Sequence, residues 1–391
     1  MIKRDLERIV LSNAKKFPIV AIVGPRQSGK TTLSKHAFPD YNYVSLEDPD
    51  KRRFAEEDPR GFLSTYSRKS VIDEIQRVPE LIPYLQTKVD EVGRPGQYVI
   101  TGSQHFLLME KVSESLAGRV ALTALLPLSF TELRNANILH KNYVDYLFMG
   151  GYPRVFDQGL KVSDWYPNYF QTYIERDVRN LKNITDLSTF QKFIKLTAGR
   201  VGQLINLSSL ANDAGISHNT AKDWISVLEA SFIIKLIQPY HKNFNKRLVK
   251  SPKLYFIDTG LAVWLLGIEN QKQLTTHYLL GNLFENWVVS EYLKFRFNRG
   301  LILNCYFWRD KTGNEIDLLI ETAGKVIPIE IKSGKTINPD YFKEINHWNL
   351  LQSRLKSTAC LIYGGDENQK RKEAGIVSWS SIPSFFPKLL R

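Results

Sequence analysis

The sequence predicts an α/β chain built from unlike units in series. These are a parallel sheet with helices on both faces, a helical connector, a helix-turn-helix with two strands, and a second α/β unit. Three observations lead there. Short apolar strands alternate with helical segments over residues 1–134, the mark of a parallel sheet. The length of 391 residues exceeds one ordinary domain of roughly 100–200 residues. No repeat of about 20–50 residues recurs, which excludes a solenoid.

In chain order, Pro18–Val23, Tyr43–Leu46, Ser70–Asp73 and Gln97–Thr101 read as the strands of the first unit. Residues 135–199 turn helical, with aromatic-rich stretches around Tyr143–Met149 and Trp165–Leu181. Over 200–260, Leu207–Ala214 reads as a helix capped by Ser208 or Ser209, Gly215-Ile216-Ser217 as a turn and Asn219–Ala230 as a second helix. Phe232–Pro239 and Lys253–Ile257 then read as two strands joined by a polar tip at His241–Arg247, the wing of a winged helix. Residues 261–391 form the second α/β unit.

Hydrophobic residues make up 43% and charged residues 24% of the chain, a globular balance that excludes disordered and collagen-like chains. The charged start Met1-Ile2-Lys3-Arg4-Asp5 and the lack of an apolar run of about 18 residues argue against secretion and membrane spanning. The two cysteines, Cys305 and Cys360, lie in apolar strand-like surroundings, so buried thiols in a reducing cytoplasm are expected rather than a disulfide or zinc framework. A net charge of +13 favours an anionic partner.

The chemistry starts at Gly24-Pro25-Arg26-Gln27-Ser28-Gly29-Lys30-Thr31, followed by Thr32, between the apolar run Ile19–Val23 and a helix. This is G-x-x-x-x-G-K-[ST] in its proper context. Glycines let backbone N–H groups approach phosphates, and the helix adds its positive end. Lys30 would reach the β/γ-phosphates of ATP and the Thr31 hydroxyl would hold Mg²⁺. Val71-Ile72-Asp73-Glu74 is a strand ending in paired carboxylates; Asp73 suits the Mg²⁺ shell and Glu74 the polarising of water. Tyr98-Val99-Ile100 leads into Thr101-Gly102-Ser103-Gln104, hydroxyls at a strand end where ligands of open α/β sheets bind.

Here the sequence resembles the AAA+ ATPases. The resemblance implies a γ-phosphate sensor at Thr101 or Ser103, with Ser103 favoured, and an arginine finger at Arg119 in Ser115-Leu116-Ala117-Gly118-Arg119, offered to a neighbouring subunit. The P-loop segment, Asp-Glu-Ile-Gln at 73–76, Leu-Ala-Gly-Arg at 116–119, Gly-Gly-Tyr-Pro at 150–153 and Tyr-Ile-Glu-Arg-Asp at 173–177 are together similar to a prokaryotic AAA-type family whose C-terminal half is a domain of unknown function. That resemblance implies an ATPase core over 1–134, a helical connector or lid over 135–199, a winged helix over 200–260, a nuclease-like tail over 261–391 and a homo-oligomer such as a hexamer. Arg154 is the nearest match to a sensor 2 arginine.

The second helix of the helix-turn-helix leaves His218, Asn219, Thr220, Lys222 and Asp223 toward its exposed start, where recognition helices touch DNA. Between Ala230 and Ile257 stand six Lys/Arg and no acid, with Tyr240 and Phe244 among them, a stretch suited to phosphate contacts. Docking to protein is the competing reading.

In the tail, Asn314–Glu321 and Val326–Lys332 alternate polar and apolar residues around a turn at Ala323-Gly324. That turn pairs Ile320 with Ile327, Leu318 with Ile329 and Ile316 with Ile331, all apolar, so the register is self-consistent. It also opposes Asp317 to Glu330, a costly pair without a cation. A divalent ion such as Mg²⁺ would neutralise it, with Lys332 beside it. Asp317 and Glu330-x-Lys332 resemble the PD-(D/E)xK motif of restriction-endonuclease-like domains. Glu285 reads either as a further metal carboxylate or, in Asn282-x-x-Glu285, as part of a helix capping box. The expected function is an ATPase acting on DNA with this tail. The alternative is a nucleotide-dependent switch that binds protein partners through an inactive tail.

Overall fold

The computed structural model describes residues 1–103, 116–173, 184, 186–240, 250–322, 324–351 and 359–390. Tyr-Ile-Glu-Arg-Asp beyond Tyr173, the tip at 241–247, Gln104, Ser115 and Ala323 fall outside them.

The first unit is a five-stranded sheet of β1 (Ile19–Val23), β2 (Asn42–Ser45), β3 (Ser70–Asp73), β4 (Tyr98–Gly102) and β5 (Val120–Ala124), in the order β2-β3-β4-β1-β5. Every pairing is parallel. Strands β1, β3 and β4 are buried along their whole length, which is why they read as unbroken apolar runs rather than as alternation. Because β4 lies between β1 and β3, the loops after these three strands open side by side at one edge of the sheet.

The second unit contains the helices Leu207–Ala214 and His218–Ala230, joined at Gly215. Strands β6 (Gln203–Leu204), β7 (Ile234–Ile237) and β8 (Lys253–Phe256) form an antiparallel sheet in the order β6-β8-β7. The first helix is capped by Asn206, whose Oδ1 accepts from Ser209 N at 3.0 Å. Ser208 and Ser209 are therefore not its caps: they lie in the first turn, two and three residues beyond the cap, and an Asn fills the role equally well. Ser217 caps the second helix. In the connector, Gly151 N and Tyr166 donate to Asp258, which also caps the helix Thr259–Leu265.

The tail is a mixed sheet of β9 (Cys305–Arg309), β10 (Glu315–Thr322), β11 (Lys325–Lys332), β12 (Cys360–Tyr363), β13 (Gln369–Lys370) and β14 (Gly375–Ser378), in the order β13-β14-β12-β11-β10-β9. The pairs Leu318 with Ile329 and Ile320 with Ile327 stand in the register that the apolar pattern demands. Both cysteines are buried free thiols, each pushed up to about 12 by burial.

One helix, Leu280–Phe297, runs through the centre with 14 of its 18 residues buried. It is about 27 Å long and touches every unit. Asn286 grips the backbone N–H and C=O of Phe256 at 2.6 and 2.9 Å. Further along, Glu291 accepts from Phe130 N at 2.7 Å and Lys294 donates to Leu128 O at 3.1 Å. Among the described residues no helix is long and apolar enough to cross a membrane.

Candidate functional site

The loop after β1 is shaped for close approach. Gly24 has φ +149, and a Cβ there would lie 2.2 Å from Leu125 O, so only glycine fits. Gly29, at φ +94, is the N-terminal boundary of the helix Lys30–Ala37. Lys30 is buried and donates to Gly24 O at 3.1 Å and Pro25 O at 2.9 Å. Burial pushes its ammonium down to about 8 against the pull of Glu74 and Asp73. The buried Ser28 hydroxyl has no partner among the described residues. A buried ammonium held over the loop by its carbonyls and an unused buried hydroxyl are donors that fit an anionic phosphate. Arg26 reaches Glu47 at 3.4 Å, while Pro25, Gln27 and Thr32 complete the turn and the first helical turn.

Asp73 is surrounded by hydroxyls. Thr31 donates to it at 2.9 Å and Tyr43 at 2.7 Å, and Thr101 donates to its other oxygen. The two groups expected to share Mg²⁺, Thr31 and Asp73, are thus in contact, and the donor set is the hard-oxygen kind that Mg²⁺ takes. Glu74 sits at φ +59, ψ +46, a left-handed conformation uncommon for a residue with a side chain and characteristic of functional positions. Its N–H donates to Thr101 at 3.2 Å; its carboxylate accepts from Gln76 and, at 3.3 Å, from Ser103. The resemblance to AAA+ ATPases implies one role for Thr101 or Ser103, with Ser103 favoured. The structure gives Thr101 to Asp73 and Ser103 to Glu74.

Arg119 lies at the other end of the sheet, where its carbonyl accepts from Ile19 N at 3.1 Å. Five strand residues separate that point from the loop, about 16 Å at the usual rise. Its guanidinium makes a forked pair with Asp90 at 2.6 and 2.9 Å. Arg154 is exposed on the short helix Pro153–Asp157.

Arg4 was not singled out from sequence. It is buried, and it donates to Ser28 O at 2.6 Å, Leu126 O at 2.7 Å and Glu132 at 2.9 Å. Burial alone would raise the Glu132 carboxyl, but Arg4 and the N–H groups of Ser129 and Asp5 hold it below the ordinary range. This strap ties the phosphate loop to the segment after β5. Removing one partner of such a buried pair costs about 3–5 kcal/mol, so Arg4→Ala is expected to lower the thermal midpoint of the nucleotide-free protein sharply. An unchanged melt would show that Glu132 does not depend on Arg4.

In the tail the structure gathers Glu285, Asp317, Glu330 and Lys332. Asp317 accepts from Ile331 N at 2.8 Å and lies 3.5 Å from Lys332, which also pairs with Glu330. Glu285 is not a cap: the boundary residue of its helix is Leu279, with no side-chain cap. It faces inward and accepts from Tyr255 at 2.6 Å and Lys253 at 2.9 Å. Burial, with Asp317 nearby, pushes its carboxyl up to about 7. Lys253, counted in the sequence among the basic residues suited to phosphate, is instead buried against these acids. Tyr240 is buried too, and Lys235 is paired with Glu229 at 2.7 Å.

A parallel sheet with this loop, a carboxylate pair at the end of β3 and hydroxyls at the end of β4 defines a P-loop ATPase of the AAA type. In agreement, residues 16–134 match the AAA domain family, while 140–272 and 280–384 match two domains of unknown function, DUF8612 and DUF4143. An uncharacterized protein of Mycobacterium tuberculosis is 32% identical over 340 residues, 85% of this chain and 74% of its own length. The chain belongs to the same family as that mycobacterial protein. An uncharacterized protein of Methanocaldococcus jannaschii is 24% identical over 353 residues, 82% of this chain and 75% of its own. Among solved structures, the Walker-type ATPase PABY2304 of Pyrococcus abyssi is similar at 12% identity and a TM-score of 0.46, covering 68% of this chain and 96% of its own.

Proposed function

We propose that this ATPase assembles as an oligomer, a hexameric ring, and acts on DNA through its middle unit, with the tail engaging branched or broken duplexes. In this reading Gly24 to Thr32, Asp73 and Ser103 hold ATP with Mg²⁺, Lys30 meets the phosphates, Thr31 and Asp73 hold the metal, and Glu74 orients water. Arg119 serves a neighbouring subunit. Its distance from its own loop supports that assignment, and its ion pair with Asp90 is exposed, so water screens it and leaves little hindrance to exchanging partners. Asp317, Glu330 and Lys332 are the candidate nuclease residues, with Glu285 as a further metal carboxylate.

One observation carries the DNA reading. The helix His218–Ala230 buries Ala221, Trp224, Ile225, Val227 and Leu228, while His218, Asn219 and Lys222 stand exposed. Its apolar face is used up inside the unit, and the polar face at its start is left for a partner, as in helices that enter the major groove.

Fluorescence anisotropy of labelled duplex and branched DNA tests this. Binding should weaken steeply with salt, the logarithmic slope being about −0.9 per phosphate neutralised, and Lys222→Ala should make that slope shallower by about one contact. No binding at low salt would leave the second reading, a nucleotide-dependent switch that docks protein partners. The position of Lys253 among the tail carboxylates favours that reading for the tail alone.

A further inference from the structure

Four carboxylates meet in the tail, and the tail does not supply all of their counter-charge. Lys253 comes from β8 in the middle unit and is 2% exposed. Its Nζ lies 2.9 Å from Glu285 Oε1 and 3.9 Å from Asp317 Oδ1, and it pairs with Glu315 as well. The place this ammonium takes, between Glu285 and Asp317, is the place a divalent ion would need if those residues were its ligands. Two cations cannot share it, because like charges a few ångströms apart repel strongly where water is excluded. As the units stand, the donor set does not fit a divalent ion. In keeping with this, no group of three or more His, Cys, Asp or Glu among the described residues is arranged to hold a metal.

We infer that Lys253 is the built-in cation of this cluster: a latch that keeps the tail carboxylates from taking a divalent ion while the middle unit is docked against them. Charge counting supports it. Lys253, Lys332 and Arg309, the last 2.8 Å from Glu315, face Glu285, Glu315, Asp317 and Glu330. With all four carboxyls ionised the cluster is one positive charge short, and one buried oxygen of Glu330 has no hydrogen-bond partner among the described residues. With Lys253 withdrawn the deficit becomes two, the charge of a single divalent ion. The docking that holds the latch in place is extensive. Tyr255, on the same strand, also donates to Glu285, and Asn286 clamps Phe256. Beyond β7 the chain crosses to the tail sheet, where Tyr240 N donates to Phe307 O at 2.8 Å. The inference rests on the nuclease-like reading of the tail only in naming a divalent cation as the competitor.

The test uses the full chain without nucleotide and Mn²⁺ alone, with free Mn²⁺ counted by electron paramagnetic resonance and thermal midpoints followed by circular dichroism. Lys253→Met should gain one Mn²⁺ per chain and melt higher with Mn²⁺ than without. Adding Asp317→Asn should remove both effects, and the wild type should show neither. If Lys253→Met does not fold unaided, Mn²⁺ should restore a cooperative melt where Na⁺ does not; a variant that stays unfolded with Mn²⁺ overturns the latch. So does a folded variant that gains no ion, and so does a wild type that already binds Mn²⁺ through Asp317. Failure of the chain to bind DNA would sink the proposed function without altering any of these readouts.

Discussion

Glu74→Gln is expected to bind ATP with nearly wild-type affinity and to hydrolyse it about 10²–10⁴-fold more slowly, the usual contribution of a positioned general base. The amide keeps the shape and part of the hydrogen bonding to Gln76 and Ser103 but cannot polarise water. Lys30→Ala should act differently. It removes the buried ammonium held between Gly24 O and Pro25 O, so nucleotide binding itself should weaken, and turnover should fall with it. Phosphate release measured beside binding of a fluorescent nucleotide separates the two behaviours. Unchanged turnover in both variants would remove Glu74 and Lys30 from the reaction.

Arg119→Ala is expected to abolish hydrolysis while sparing nucleotide binding, by a factor of about 10³–10⁵ if the guanidinium stabilises transition-state charge as arginine fingers do. Because the side chain lies at the end of the sheet remote from its own loop, the loss should be curable in trans. Mixing Arg119→Ala with Glu74→Gln chains pairs an intact Glu74 with an intact Arg119 at some interfaces, and partial activity should return. Full activity from a chain that stays monomeric with ATP at high concentration would refute the assignment.

The parts of this molecule that were legible in the sequence are those governed by short-range periodicity. The phosphate loop is one contiguous segment whose glycines, lysine and threonine each have a local reason. The β10–β11 register could be read because side chains alternate with period two, and one turn position alone pairs apolar with apolar. What stayed hidden depends on distant partners. Arg4 meets Glu132 across 128 positions and Lys253 meets Glu285 across 32; no local pattern marks either pairing. Tyr43 and Gln76 are similar cases, polar residues near a motif whose contacts with Asp73 and Glu74 emerge only when β2, β3 and β4 lie side by side. Glu285 was ambiguous because Asn-x-x-Glu has the spacing of a capping box, and only the helix beginning at Leu280 excludes that use. The basic run from Ala230 to Ile257 misled in part for a related reason: a lysine in a buried strand and one on a wet face are spelled alike.

The long central helix Leu280–Phe297 sets a limit on how this protein can be taken apart. Family boundaries near residues 134–140 and 272–280 mark where sequences are alike, yet they do not mark seams in the core. Phe284, Trp287, Val288, Tyr292 and Leu293 are buried, and fully exposing a side chain of this size costs about 1.5–3 kcal/mol. A fragment ending before that helix would bare the surfaces it covers and strand Lys253 without its carboxylates. A fragment beginning at the helix would carry the acids without their lysine and lay bare a helix that is buried on nearly all sides. The ATPase and its tail thus share one apolar core, and a change in one half acts on the other through residues that take no part in its chemistry.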